Sequence, residues 1–155
     1  MSTWNFFNKN MKINQILVFT DGSCLLQNKR KFGIGVVIIT DFKNPNNIIK
    51  YGRFLGYNGT NNIAELNAIK YGLEKSIGFN KPIIIYTDSK YSIYSINGQY
   101  KCKSNLKLIN SIKQIINNHP YLIRFNYVKG HSKNTFNNLA DKLAITSTYT
   151  EKNYG

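Results

Sequence analysis

The sequence predicts an α/β fold in which a five-stranded mixed sheet is flanked by helices. Five short segments combine apolar, β-branched and aromatic residues, as strands do, and turns rich in Gly, Asn or Pro separate them. Longer segments with apolar residues at i, i+3 and i+7 are typical of amphipathic helices, and they begin after the third strand. Hairpin-linked strands followed by helical crossovers give a mixed sheet in the order β-β-β-α-β-α-α-β-α.

The first three strands are predicted at about Gln15–Thr20, Phe32–Thr40 and Ile48–Gly56. The turn "NKRKFG" at Asn28–Gly33 has a basic tip, and "DFKNPNN" is a strong turn signal before the third strand. Glycines in "FGIGVVIIT" allow a bulge or the close approach of another element.

The first helix is predicted to begin near "TNNIAEL", where Asn61 or Asn62 can cap it, and Gly78 and Pro82 bracket its end. The other elements are a strand at Ile83–Thr87, a short helix at Ser89–Ile96, a helix at Ser104–Asn118, a strand at Tyr121–Val128 and a last helix at Thr135–Thr146. Inward-facing positions on the three longer helices are predicted to be Leu66, Ile69 and Leu73, then Leu106, Ile109, Ile112, Ile115 and Ile116, then Leu139, Ala140, Leu143 and Ala144.

The composition favours one domain with a polyanionic partner. The chain of 155 residues is 42 % hydrophobic, which is enough for one sizeable core. A net charge of +14 favours nucleic acid first and an anionic membrane second, although an AT-rich genome also enriches Asn, Ile, Lys and Tyr. No acidic residue lies between Asp88 and Asp141, an interval that holds eight Lys and Arg residues, and this suits a phosphate-facing surface.

We expect a domain at residues 13–149, with a flexible extension at 1–12 and a tail at 150–155. No apolar stretch approaches the roughly 20 residues of a membrane span, and no secretory signal is present, so no membrane partner is expected. Cys24 and Cys102 lack a metal-binding spacing. They are expected to be free thiols in a reducing intracellular compartment, cytoplasmic or nuclear, with one disulfide as the alternative. A monomer is expected.

Four of the seven acidic residues stand where a site could form. Asp21 and Asp88 each follow an apolar run as Thr-Asp, Glu65 lies in the first turn of a helix, and Asp141 lies on the last helix. Each has an ordinary explanation: a turn for Asp21, a capping box with Asn62 for Glu65, a helix cap for Asp88 and a solvated face for Asp141. If the first and fourth strands are adjacent and parallel, both aspartates emerge at one sheet edge, where open α/β sheets build sites.

Clustered carboxylates repel one another and raise each other's pKa, and divalent cations remove this cost. Ligand sets made only of oxygen favour Mg²⁺ or Mn²⁺ over zinc. Two such ions suit phosphoryl transfer, because one generates the attacking hydroxide and the other stabilises the leaving oxygen. An acidic metal centre in a basic protein therefore predicts a nuclease.

Four segments resemble the signature segments of the ribonuclease H type 1 family. They are "FTDGSC" (Phe19–Cys24), "TNNIAEL" (Thr60–Leu66), "YTDSKY" (Tyr86–Tyr91) and "VKGHSKNTFNNLADKLA" (Val128–Ala144). The resemblance spans about Ile16–Ser147 in the family's order. It implies a ribonuclease H-like fold and endonucleolytic hydrolysis of the RNA strand of RNA/DNA hybrids, leaving 5′-phosphate and 3′-hydroxyl ends.

The resemblance also implies roles for single residues. The carboxylates that are catalytic and hold two Mg²⁺ ions, with Mn²⁺ as a substitute, would be Asp21, Glu65, Asp88 and Asp141. His131 matches the loop histidine that assists proton transfer or product release, with an ordinary surface histidine as the alternative. Cys24, Asn61 and Asn62 would read the minor groove of the hybrid. The remaining implied substrate-binding residues are Thr60 and Asn105 at a DNA phosphate, Asn137 in the last loop, Asn28 and Lys90.

The sequence departs from the family pattern in four places. Many relatives have a Gly/Asn/Pro-rich loop after "DGSC", whereas this chain has "LLQNKRKFG", where Gln27 or Asn28 would replace the usual asparagine contact. Ile63 stands where an arginine is common, and Lys90 where a glutamine is common. The segment Asn97–Ser104 is short, whereas many cellular relatives carry a longer, Trp-containing basic protrusion there, so weaker substrate affinity is expected.

Three other interpretations stay open at this point. They are another nuclease of the same fold acting on DNA or double-stranded RNA, a non-catalytic nucleic-acid-binding module, and a ribonuclease H domain cut from a reverse transcriptase. The minor-groove residues and His131 favour hybrids, and the presence of Asp21, Glu65 and Asp88 disfavours the binding module. The extension from Met1 and the stop after "EKNYG" favour a free-standing protein.

Overall fold

The computed structural model describes residues 14–41, 43–44, 47–130 and 134–155, and for residue 28 the backbone alone. The predicted extension at 1–12 and His131 lie outside these ranges. The strands are β1 (Ile16–Cys24), β2 (Phe32–Ile39), β3 (Ile48–Gly56), β4 (Ile83–Thr87) and β5 (Ile123–Tyr127). The helices are α1 (Asn61–Ser76), α2 (Lys90–Ile96), α3 (Leu106–Asn118) and α4 (Thr135–Thr150), with short 3₁₀ helices at Asn28–Arg30 and Ile77–Phe79.

The five strands form one mixed sheet in the order β3-β2-β1-β4-β5. The pairs β1–β2 and β2–β3 are antiparallel, whereas β1–β4 and β4–β5 are parallel. This confirms the predicted mixed sheet and the adjacent, parallel arrangement of the first and fourth strands. Helix α1 makes the crossover from the antiparallel part to the parallel part, as a parallel pair requires.

Helices cover both faces of the sheet, and the alternation of side chains along each strand divides the core in two. On one face, residues such as Val18 and Ile85 pack with Leu66, Ile69 and Ile112 of α1 and α3. On the other face, the aromatic and aliphatic side chains of β1, β2 and β4 pack with Phe136 and Ala140 of α4. No helix in the described part of the chain is long and apolar enough to cross a membrane.

Some predicted details were wrong. Leu106 is 49 % exposed, because it is the first residue of α3, whereas Ile109 and Ile112, further along the helix, are buried. Thr60 caps α1, since its Oγ1 accepts a hydrogen bond from the backbone N–H of Ile63 (3.1 Å), so neither Asn61 nor Asn62 is the cap.

Strand β1 continues to Cys24 and does not end at Thr20. Asp21 pairs with Gly35 and Cys24 pairs with Phe32, so β2 holds four more residues of β1 in the ladder than the sequence predicted. Asp21 therefore lies inside a strand and not at its end.

The C-terminal residues pack against the outer strand of the sheet. Helix α4 continues to Thr150, and Tyr154 then pairs with Gly52 of β3. The Arg53 guanidinium donates hydrogen bonds to the carbonyl oxygens of Tyr154 (2.6 Å) and Gly155 (2.9 Å). These contacts cover an edge strand that would otherwise offer unpaired backbone groups.

Both cysteines, Cys24 and Cys102, are free thiols, as expected.

Candidate metal centre and active site

Two aspartates meet because β1 and β4 are adjacent and parallel. Phe19 pairs with Tyr86 in this ladder, and their rings stack with centroids 4.6 Å apart. Asp21 comes two residues after Phe19, and Asp88 comes two residues after Tyr86. Both carboxylates therefore lie at the same end of the parallel pair. This is the sheet edge at which open α/β folds place their sites.

Gly22 lets helix α1 approach β1 closely enough to bring Glu65 to the aspartates. A Cβ atom at position 22 would overlap the backbone of Ala64 and lie 2.5 Å from the Glu65 nitrogen. The Gly22 N–H donates to Oδ1 of Asp21 (3.0 Å) and also hydrogen-bonds to Glu65. Because Thr60 is the cap, the third helical residue is Ile63, and Glu65 does not form the capping box that was its ordinary explanation.

Gly35 lets helix α4 approach the sheet closely, as Gly22 does for α1, and so brings Asp141 to the cluster. It lies opposite Asp21 in the β1–β2 ladder. A Cβ atom there would overlap the Ala140 carbonyl oxygen and lie 2.7 Å from the Ala144 nitrogen, so the α4 backbone rests directly on this glycine. Asp141, the next residue of α4, hydrogen-bonds to Asp21 through its carboxyl group.

The result is a cluster of carboxylates. Asp21, Glu65 and Asp88 each present an oxygen, and these oxygens all lie within 4.8 Å of one another. Asp21 is only 5 % exposed. Oε2 of Glu65 is buried and has no hydrogen-bond partner among the described residues.

Burial and crowding make these groups hard to ionise. Burial, followed by the charge of Glu65, raises the pKa of Asp21 to about 11. Burial, followed by the charge of Asp88, raises the pKa of Glu65 to about 8, although hydrogen bonds from Asp21 and the Gly22 N–H act in the opposite direction. A divalent cation would remove this penalty, and carboxylate oxygens are the ligands that Mg²⁺ and Mn²⁺ prefer. The orphaned Glu65 oxygen and the all-oxygen donor set both fit such an ion.

The raised pKa values predict that the metal-free protein loses stability as the pH rises. Because both values lie above those of exposed carboxyl groups, the folded state binds more protons than the unfolded state above about pH 4. This contribution to stability is present at low pH. It is lost as the pH rises to the folded-state pKa of Glu65, about 8, and to the pKa of Asp21, about 11. We expect the thermal unfolding midpoint in EDTA to fall from about pH 5 to about pH 9, and Mg²⁺ to reduce that fall.

The matched comparison is Asp21→Asn, which cannot ionise at this position. Its midpoint should fall less over the same pH range, and Mg²⁺ should change it less. Parallel pH curves for wild type and Asp21→Asn in EDTA would contradict the electrostatic account of the cluster.

The segment before His131 passes beside the cluster. A Cβ atom at Gly130 would lie 3.0 Å from Oδ2 of Asp88. The role of His131 itself stays a prediction, because the residue lies outside the described ranges.

At the start of α4, Oδ1 of Asn134 caps the helix by accepting from the N–H groups of Phe136 and Asn137 (both 3.0 Å). Asn137 is 3 % exposed, which suits a supporting role more than direct contact with a substrate.

The other predicted contact residues lie at the ends of strands and helices or in the connections between them. Thr60, Asn61 and Asn62 are exposed at the start of α1, and Cys24 is partly buried at the end of β1. Nζ of Lys90 lies 4.9 Å from the ring centroid of Tyr127. Asn105 adopts a left-handed conformation (φ 61°) and donates to the Tyr91 hydroxyl (3.2 Å). The side chain of Asn28 is not described. None of these placements tests a contact, so the roles stay predictions.

Comparison with known proteins decides the family. The sequence profile of the RNase H family matches residues 13–148. The chain belongs to the RNase H family. Ribonuclease H from Caldicellulosiruptor saccharolyticus is 29 % identical over 148 residues, covering 85 % of this chain and 94 % of the relative. Ribonuclease H from Ehrlichia ruminantium is 33 % identical over 146 residues, covering 86 % and 94 %.

Solved structures confirm the ribonuclease H-like fold. RNase H1 from Halobacterium salinarum has a TM-score of 0.73 at 19 % identity, covering 89 % of this chain and 99 % of the other. LC11-RNase H1, solved in complex with an RNA/DNA hybrid, has a TM-score of 0.72 at 23 % identity, covering 88 % and 98 %. As a member of the RNase H family, the chain is a metal-dependent nuclease, and the cluster of Asp21, Glu65 and Asp88 fits its active site.

Sequence reasoning found the carboxylates but missed the residues that position them. Gly22 and Gly35 allow the close approach of α1 and α4, and Thr60 fixes the start of α1. The glycines of "FGIG" gave the one usable signal, since they were read as permitting close approach. Nothing in the sequence distinguished Gly22 from an ordinary turn glycine after Asp21.

Proposed function

We propose that this chain hydrolyses the RNA strand of RNA/DNA hybrids, with Asp21, Glu65, Asp88 and Asp141 holding two Mg²⁺ ions. The observation that carries the proposal is the cluster of Asp21, Glu65 and Asp88, whose oxygens lie within 4.8 Å of one another in a protein of net charge +14. Family membership supports the reaction, and the hybrid bound by LC11-RNase H1 supports the substrate. Mn²⁺ has the same preference for oxygen ligands and would substitute for Mg²⁺.

The protein supplies a rigid set of ligands. Asp21 lies on β1 and Asp88 directly follows the neighbouring strand β4, while Glu65 and Asp141 lie on helices packed directly on β1 and β2. Bound Mg²⁺ would activate the attacking water and stabilise the leaving oxygen of an in-line displacement. Water attack with departure of the 3′ oxygen leaves a 5′-phosphate and a 3′-hydroxyl. The carboxylates keep these positions because backbone contacts, and not flexible loops, set them.

His131 would exchange a proton with the reacting oxygen or assist product release. The support is the position of Gly130, the residue before His131, where an added Cβ would lie 3.0 Å from Oδ2 of Asp88. A histidine suits this work, because its pKa lies near physiological pH.

The surface around the cluster would read the shape of the hybrid and not its sequence. A hybrid exposes 2′-hydroxyls and base edges in a wide, shallow minor groove. The exposed amides of Asn61 and Asn62 can donate and accept there, beside Cys24. The Thr60 hydroxyl already accepts from the Ile63 N–H, so its own hydrogen is available to donate to a phosphate oxygen, near Asn105. Asn28 and Lys90 complete the proposed substrate set, and the buried Asn137 would support this region from inside the protein.

Two finer statements belong to the same proposal. The chain would act as a monomer, because all four carboxylates come from one chain. The free thiols of Cys24 and Cys102 support action in a reducing compartment.

The second candidate is a nuclease of the same fold that acts on DNA or double-stranded RNA. One experiment separates the two. The protein is incubated with Mg²⁺ and four end-labelled substrates of one sequence: the hybrid, single-stranded RNA, duplex RNA and duplex DNA. We expect cleavage of the hybrid's RNA strand alone, lost when EDTA is added. Equal cleavage of duplex DNA or duplex RNA would favour the second candidate. Binding without cleavage, both with Mg²⁺ and with Mn²⁺ in its place, would contradict both candidates.

A further inference from the structure

The loop between β1 and β2, residues Leu25–Lys31, is here called the basic loop. This chain places Lys29, Arg30 and Lys31 in it. Lys29 and Arg30 both adopt left-handed backbone conformations, with φ of 60° and 51°. Glycine takes this conformation without a steric penalty, and residues with a Cβ do not. The chain thus keeps two cationic side chains in a conformation that disfavours them.

Backbone hydrogen bonds hold this conformation in place. The Asn58 N–H donates to the Lys29 carbonyl oxygen (2.8 Å), and the Gly59 N–H donates to the Arg30 carbonyl oxygen (3.0 Å). At the neck of the loop, the Leu25 N–H donates to the Lys31 carbonyl oxygen (3.0 Å). These bonds use main-chain atoms only, so they do not explain why the two side chains are cationic.

Lys31 anchors the other side of the loop to the end of α4. This lysine is buried, and its Nζ donates to the Tyr149 carbonyl oxygen (2.9 Å) and lies 3.6 Å from Oε1 of Glu151. Its ammonium group is therefore bound by other groups of the protein itself. Lys29 and Arg30 are exposed, and no carboxylate of the described residues forms an ion pair with either.

The basic loop is continuous with the proposed substrate surface. Asn58 and Gly59, which bond to the loop, immediately precede Thr60, and Cys24 immediately precedes the loop. Burial raises the pKa of the Cys24 thiol, and the nearby Arg30 cation acts in the opposite direction. Two cations without an ion-pair partner among the described residues therefore lie on a hydrogen-bonded loop beside the groups proposed to read the minor groove.

We propose that Lys29 and Arg30 bind the phosphodiester backbone of the hybrid, as a contact additional to the metal centre and the minor-groove residues. This inference rests on the proposed function. The contact contributes salt-dependent affinity that is independent of sequence, because phosphate contacts position a nucleic acid without reading its bases.

The test neutralises both charges while keeping side-chain length, with Lys29→Gln/Arg30→Gln. Cleavage kinetics give KM and kcat, and fluorescence anisotropy with a labelled hybrid in EDTA gives Kd over a range of salt concentrations. We expect KM to rise roughly tenfold and kcat to stay within about twofold, since the loop does not hold the metal. The slope of log affinity against log salt should become shallower by roughly 1.5.

The matched control is Lys43→Gln/Lys81→Gln, which removes the same charge at the opposite end of the sheet. Its salt slope and KM should stay close to those of wild type. If wild type cleaves the hybrid and the Lys29/Arg30 variant matches this control, the inference fails and the proposed function stands. If wild type does not cleave the hybrid, the proposed function itself fails.

A second variant separates substrate binding from folding. Lys29→Gly/Arg30→Gly relieves the left-handed strain and removes the same charges. We expect its urea midpoint to exceed that of wild type while its affinity for the hybrid falls as in the Gln variant. Wild-type affinity in the Gly variant would overturn the inference.

Discussion

Asp21→Asn is expected to abolish hybrid cleavage while leaving the fold intact. The substitution keeps the size of the side chain but removes a carboxyl group, and with it a proposed metal ligand, from the cluster with Glu65, Asp88 and Asp141. Metal-ion stabilisation of a phosphoryl-transfer transition state is worth several kcal/mol, and about 1.4 kcal/mol corresponds to tenfold in rate, so the loss should be roughly 10³-fold or more. Single-turnover rates at saturating Mg²⁺ and hybrid measure it.

The control is Asp41→Asn, the same chemical change in the turn after β2, where Asp41 Oδ1 accepts from the Lys43 N–H (2.8 Å). It should cleave the hybrid at close to the wild-type rate. In EDTA at about pH 8, Asp21→Asn should unfold at a higher temperature than wild type, because it removes a carboxyl group that is costly to ionise. A variant that stays within tenfold of wild type in rate would exclude Asp21 as a metal ligand.

Gly35→Ala is expected to lower the free energy of unfolding by about 3 kcal/mol or more, because overpacking against backbone cannot be relieved by a side-chain rotation. The added methyl group would overlap the Ala140 carbonyl oxygen and press on the Ala144 nitrogen, so α4 must move away from β2. The same movement would carry Asp141 away from Asp21. Urea denaturation measures the loss of stability, and the cleavage rate of the folded fraction measures the displacement.

Gly78→Ala provides the matched control. Position 78 has no atom within 4 Å of an added Cβ and lies in a 3₁₀ helix. A glycine-to-alanine change at such a site should leave stability unchanged or raise it by about 0.4–1 kcal/mol. Equal effects at positions 35 and 78 would mean that α4 does not rest on Gly35.

The sequence was sufficient to predict the order of strands and helices because each element carries its own periodicity. The limits of β3 and β4 were predicted correctly, at Ile48–Gly56 and Ile83–Thr87. The extension of β1 to Cys24 could not be predicted, because the sequence "DGSC" reads as a turn and only pairing with β2 holds it extended. Boundaries that depend on a partner element are not visible in local sequence.

The clustering of the carboxylates was predictable from the sequence, whereas their protonation behaviour was not. The Thr-Asp endings and the resemblance pointed to the carboxylates, but the raised pKa values of Asp21 and Glu65 depend on burial that α1 and α4 create. In the basic loop, the exposure of the residues was predictable and their backbone conformation was not. A Lys-Arg pair predicts an exposed turn, and no sequence rule predicts that both residues adopt left-handed conformations held by Asn58 and Gly59.

Cleavage of the hybrid in H₂¹⁸O, followed by mass spectrometry of the RNA fragments, tests the central claim most directly. If carboxylate-held metal activates water, each new 5′ end carries a phosphate with one ¹⁸O, and each new 3′ end is a hydroxyl. The DNA strand stays intact, and Asp88→Asn yields no fragments. Fragments that end in a 2′,3′-cyclic phosphate with a 5′-hydroxyl would show attack by the ribose 2′-hydroxyl, and would contradict the account.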